Sequence, residues 1–150
     1  MNVIGKAMQW WRGRRAALRR DPRRLFRVSA DAEGLTVVFP PGWWPKGGTD
    51  THHIEWKEVR SVELFKTDDF TVDTIWAAVH WAAPGEDAVI TTHFPEEAEG
   101  WSVVMDRLPK YLPGCRTEEE WFRRVAIPPF AENRTVIYER GASHDIDDSS

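Results

Sequence analysis

The chain is 150 residues long, with a formal net charge of −4, nine tryptophans and a single cysteine. That length suits one domain with a real core, and one cysteine excludes both an internal disulfide framework and a cysteine-rich metal site. No run approaches the ~20 apolar residues of a membrane-spanning helix, and no apolar stretch of ~7–15 residues follows the basic N-terminus as in a secretory signal, so the expected compartment is the cytoplasm.

Charge is unevenly placed along the chain. Up to residue 27 there are nine basic residues and one acid, Asp21, a net of +8; the remainder holds 11 basic and 23 acidic residues, a net of −12. A sign split of this kind points to an interaction arm.

Ile4, Ala7, Met8, Trp11 and Ala16 to Leu18 fall on one side of a helix, with arginines filling most other positions. The spacing predicts an amphipathic helix over about 3–20, stopped by Asp21-Pro22 because the residue before proline is pushed out of the α region. Leu25 to Ala30 and Leu35 to Phe39 then read as a hairpin around Asp31-Ala32-Glu33-Gly34, with the glycine supplying the tight turn. Three prolines and three glycines from Pro40 to Gly48 predict a loop, which displays Trp43 and Trp44.

Strands are expected at Thr51 to Trp56 and Val59 to Lys66. In the second, Arg60, Val62, Leu64 and Lys66 alternate with Val59, Ser61, Glu63 and Phe65. Thr74 to Trp81 is the clearest strand, with Ile75, Ala77, Val79 and Trp81 on one face and Thr74, Trp76, Ala78 and His80 on the other. Pro84-Gly85-Glu86-Asp87 turns the chain, and Ala88 to His93 returns as its partner.

After Pro95 the period lengthens. Ala98, Trp101, Val104, Met105 and Leu108 form a helical stripe between Glu96-Glu97-Glu99 and Arg107-Lys110, acids and bases that suit the helix dipole. Pro113-Gly114 closes that helix. Thr117 and Glu120 form a capping box that opens a second one carrying Trp121, Phe122 and Val125, ended by Pro128-Pro129. Arg134 to Tyr138 reads as a last strand.

This order defines an α+β domain: a curved antiparallel sheet or partly open barrel, covered by one or two C-terminal helices, plus an N-terminal basic helix. The expected organisation is a basic arm over 1–24, a β-rich domain over 25–140 and an acidic tail over 141–150.

Trp56-Lys57-Glu58-Val59, Lys66, Asp69, Thr71-Val72-Asp73, Glu96-Glu97 with Gly100-Trp101, Trp121, Pro129-Phe130-Ala131, Asn133-Arg134-Thr135 and Tyr138 resemble a group of uncharacterised small bacterial proteins. Their strand-then-helix order also resembles pleckstrin-homology-like domains. The resemblance covers little more than half the chain. It implies binding of peptides, proteins or phosphoinositides rather than chemistry, and it carries no catalytic residues.

For a metal, His52 and His53 are adjacent and so point to opposite faces of a strand. At most one can join His80 and His93, and no HExxH or CxxC spacing occurs, so neither a metal nor another cofactor is expected. Lys66, Asp68, Asp69 and Asp73 cluster before the clearest strand. Carboxylates in a pocket can be tuned for acid–base work, with Asp73 the first to mutate, although charged residues at strand ends are ordinarily turn formers. Cys115 precedes Arg116, a neighbour expected to lower its pKa. No GxSxG elbow or glycine-rich phosphate loop is present.

The arm offers Trp10 and Trp11 beside Arg12, Arg14, Arg15, Arg19 and Arg20. Such a helix suits an anionic membrane surface, a protein partner or its own acidic domain; nucleic acid is disfavoured by the acidic body that carries it. Trp43 and Trp44 are a second candidate anchor. The leading expectation is a non-catalytic protein-binding or regulatory module with no small-molecule substrate, one form being an immunity-type inhibitor that blocks a basic toxin. The alternatives are a membrane-associated adaptor using the arm and a small enzyme using Asp69, Asp73, His80 or His93.

Overall fold

The computed structural model describes residues 25–41, 51–68, 73–127 and 133–141. The predicted basic helix, the Trp43-Trp44 loop, Asp69 and residues 142–150 of the acidic tail lie outside them.

Among the described residues seven strands and two helices follow in the expected order. β1 (Arg27–Ala30), β2 (Gly34–Val38) and β3 (Thr51–Glu55) pair antiparallel as one sheet. The second sheet is also antiparallel, in the order β6-β5-β4-β7, from β4 (Val59–Asp68), β5 (Asp73–Trp81), β6 (Ile90–Pro95) and β7 (Thr135–Glu139). Helices α1 (Trp101–Tyr111) and α2 (Glu118–Ala126) lie between β6 and β7. The domain is thus α+β, as the alternation predicts. Its strands divide into sheets of three and four that do not close into a barrel. The division falls at a single 3₁₀ turn, Trp56–Glu58, where Glu58 reaches back to the Glu55 N–H at 2.8 Å and turns the chain out of one sheet into the next.

Both sheets turn an apolar face inward. Leu35, Val37 and Ile54 from the first meet Val62, Leu64, Ile75, Ala77, Val79 and Phe94 from the second. Each such side chain contributes on the order of 1.5–3 kcal/mol by leaving water. The helices cover the same core: Trp101 sits edge-on to Phe94 at 5.5 Å, and Trp121 and Val125 of α2 are buried. Val59 is also fully buried while Arg60 is exposed, the reverse of strict alternation from Val62. The cause is a register shift between Val59 and Ser61, a bulge that returns Val59 to the core.

Two glycines are fixed by close approach. Gly34 does not adopt a positive φ; the turn before it is held by Asp31 Oδ1, which accepts from the N–H groups of Glu33 and Gly34 at 2.9 and 3.0 Å. A Cβ at Gly34 would instead overlap the Ile54 carbonyl on the neighbouring strand. Gly100, with φ of 94°, caps α1, and a Cβ there would overlap the Val28 carbonyl.

That cap corrects the predicted start of the first helix. Glu96, Glu97 and Glu99 precede α1, and its first turn holds no acid. Glu96 accepts from the Ile75 N–H at 3.2 Å, Glu97 from the Thr74 hydroxyl at 3.3 Å, and Glu99 pairs with Arg27 at 3.2 Å. They fasten strands rather than complement a dipole. The capping box of α2 forms as read, with Glu120 3.5 Å from the Thr117 N–H and 3.1 Å from its hydroxyl.

Candidate functional site

The period of two in β5 decides which predicted site residues can meet. Asp73 and His80 are an odd number of positions apart, so they leave the strand on opposite faces. Asp73 shares the inner face with Ile75 and Ala77. There it accepts from Lys66 Nζ at 3.1 Å, with side-chain exposures of 16% and 2% for Asp73 and Lys66. Lys66 also donates to the carbonyl of Ala126 at the end of α2, at 2.9 Å. This pair anchors a helix end to the sheet, and Asp73 is engaged as its anion.

His80 and His93 occupy the outer face of the four-stranded sheet, where His93 lies across from Ala78 and His80 across from Thr91. Glu63 Oε1 takes a hydrogen bond from Arg134 Nη1 at 2.8 Å and lies 3.4 Å from His80 Nε2. The other His80 nitrogen meets the Thr91 hydroxyl at 2.8 Å. Arg134 lies over the Phe65 ring at 4.6 Å, and His93 approaches that ring edge-on at 5.9 Å. Burial pushes His93 below the ordinary histidine value, with His80 and Arg134 nearby acting in the same direction against Glu63. Glu63, Arg134, Phe65, Thr91 and the two histidines therefore make one continuous patch. Glu63, Phe65 and Arg134 were not singled out for that role in the sequence, although the parity of Ser61, Glu63 and Phe65 places them together.

The histidine pair is split. His52 turns inward to the Thr92 hydroxyl at 2.8 Å and the Phe39 ring at 4.8 Å, whereas His53 meets the Thr36 hydroxyl at 2.9 Å. Neither is among the partners of His80 or His93 given above. Among the described residues no three His, Cys, Asp or Glu side chains are arranged to hold a metal ion.

Cys115 reverses its expectation. Burial, with Glu120 adding to it, pushes the thiol up to about 12, so Arg116 does not activate it. The Arg116 N–H is instead bonded to the Ile137 carbonyl at 2.8 Å, part of the link between the helices and β7.

A groove of about 510 Å³ opens beside the β1–β2 turn, lined by Ala32, Glu33, His53, Glu55, Trp56 and Lys57. Trp56 is pinned there: its indole N–H donates to the Asp31 carbonyl at 2.6 Å, and its ring stacks on Tyr111 at 5.1 Å. Backbone N–H groups hold the Asp31 carboxyl below its usual range. Lys57 Nζ sits 3.2 Å from Glu55 Oε2, with side-chain exposures of 74% and 46%. A pair so exposed contributes about 0–1 kcal/mol.

The described residues carry seventeen acidic and eleven basic side chains. Several of the bases are tied into the fold. Arg107 donates to the Ala30 carbonyl at 2.7 Å, and Arg140 donates to the carbonyls of Val59 and Trp56 at 2.8 and 2.7 Å. Glu33, Glu86, Asp87, Asp106 and Glu118 to Glu120 are exposed. Among the described residues no helix is long and apolar enough to cross a membrane. No family model, curated protein or solved structure matches the chain.

Proposed function

We propose that the protein is a non-catalytic binding module that engages a basic protein through its acidic surface, in the manner of an immunity-type inhibitor. One observation carries this reading: among the described residues seventeen acids face eleven bases, and Lys66, Arg107, Arg134 and Arg140 are already committed to internal partners. An exposed acidic surface speeds encounter with a cationic partner and rejects anionic ones. The alternative of an enzyme using Asp69, Asp73, His80 or His93 is less favoured, since the sheet separates Asp73 from His80 and His93, and Asp69 lies outside the described residues.

The test is recovery of partners on the full chain from the native host at low and high salt. A basic protein released between 0.05 and 0.5 M salt, on the order of a Debye length of 14 down to 4 Å, is the expected outcome. A partner that is acidic, or that stays bound equally at both salt concentrations, would overturn the proposal.

A further inference from the structure

The partner's chemistry can be narrowed at the groove beside the β1–β2 turn. We propose that this groove seats an arginine side chain of the partner against the Glu33 and Glu55 carboxylates, beside Trp56. This inference rests on the reading of a basic partner given above.

Three observations support it. The groove brings together two carboxylates and an aromatic ring from segments more than twenty residues apart, and it has room for a side chain to enter. Its indole is fixed before any partner arrives, by the Asp31 carbonyl on one side and the Tyr111 ring on its face. A cation already sits at its rim, because Lys57 reaches Glu55 at 3.2 Å. That contact shows which charge the site takes, and its exposure leaves it easily displaced. Other charged groups nearby among the described residues include Asp31 at the turn, Glu58, which accepts from the Glu55 N–H, Lys110 over the Tyr111 ring, and Arg107, which is engaged with the Ala30 carbonyl. His53 is held by the Thr36 hydroxyl.

Guanidinium fits better than ammonium. It is planar and forks onto carboxylates through paired N–H groups, whereas ammonium is a strongly hydrated point charge. Arginine should therefore be preferred to lysine at equal charge.

The experiment titrates the isotopically labelled full chain with a six-arginine peptide and a six-lysine peptide, following amide and indole N–H resonances. Shifts should concentrate at Glu33, His53, Glu55, Lys57 and the Trp56 indole. The arginine peptide should bind at least about threefold more tightly, a ratio set by paired hydrogen bonds to the two carboxylates. The double variant Glu33→Gln with Glu55→Gln should weaken it about tenfold, and Lys57→Ala should tighten it. Glutamine at 55 keeps the oxygen that accepts from the Glu58 N–H, so folding is preserved. Equal binding of the two peptides, or shifts centred on Glu118 to Glu120 and insensitive to the double variant, would overturn the inference. A native basic partner unaffected by the double variant removes the groove and leaves the proposed function. Arginine binding here without any basic partner does the reverse.

Discussion

Lys66 Nζ lies 3.1 Å from Asp73 Oδ2 on the core side of the β4–β5 hairpin, and the same ammonium holds the last turn of α2 through Ala126. A lysine this deeply buried depends on its anion. Removing Asp73 takes a carboxylate from beside the buried ammonium, whereas removing both members also takes away the buried charge that needed it. Asp73→Ala should therefore cost about 3 kcal/mol, and Lys66→Met with Asp73→Leu should recover more than half of it. Urea denaturation of the single and double variants measures both. A loss near zero for Asp73→Ala would show that the pair does not anchor the helix.

Two of the four described glycines at φ near +90° separate backbone strain from collision. Gly85 has φ of 80° and open space around its missing Cβ, while Gly100 has φ of 94° and the Val28 carbonyl in the way. Gly85→Ala should cost about 1–2 kcal/mol from backbone conformation alone. Gly100→Ala adds the overlap and should cost clearly more, with loss of the α1–β1 contact visible as amide exchange at Val28. Equal costs would mean that α1 can move away from β1 freely.

Acid should destabilise the fold through its histidines. Burial pushes both His52 and His93 below the ordinary value of 6.5, so below that pH the unfolded chain takes up protons more readily than the folded one. Stability is then full above about 6.5 and falls as pH drops through the depressed folded values. His93→Asn should flatten the decline between pH 7 and pH 5 in thermal melts.

Glu96 runs in the opposite direction. Burial pushes its carboxyl above 4.5, with the Ile75 N–H opposing and Glu97 adding to the rise. The fold thus prefers it protonated, and its contribution is present at low pH and lost as pH rises through the raised value. Glu96→Gln keeps an oxygen for the Ile75 N–H, so it should raise the melting temperature at pH 7 and change little at pH 4. A lower melting temperature at pH 7 would show that the ionised carboxylate is required.

Cys115 should resist thiol reagents in the native state. Its thiol is buried and pushed up to about 12, so almost no thiolate is available near neutrality. Alkylation monitored by intact mass should follow global unfolding, accelerating only as urea approaches the midpoint. Rapid labelling in buffer would contradict the burial of this thiol.

Particular residues show how far the sequence could be read. The parity of β4 and β5 already assigns Lys66 to the apolar face and His80 to the other, because a strand alternates strictly. Val59 escapes that rule because a bulge depends on what the partner strand does. Glu96, Glu97 and Glu99 looked like a helix start because local spacing suits one; their true partners, Ile75, Thr74 and Arg27, are more than twenty residues away for the first two and seventy-two for the third. Cys115 was misjudged for a similar reason, since adjacency to Arg116 is visible in sequence and enclosure is not. The groove needs Glu33 and Trp56 side by side, a meeting created by the β2–β3 register and by the turn that divides the sheets.

That turn is finished by the far end of the domain. Arg140 donates to the carbonyls of Trp56 and Val59, its own N–H bonds to the Arg60 carbonyl at 2.9 Å, and β7 pairs along β4. During synthesis, β1 to β3 can assemble while the ribosome is still at work downstream. β4 cannot, because one of its edges stays bare until residues 135–140 have emerged. The nascent chain therefore carries an open strand edge from the completion of β4 until residues 135–140 arrive to end its exposure to other unfinished chains.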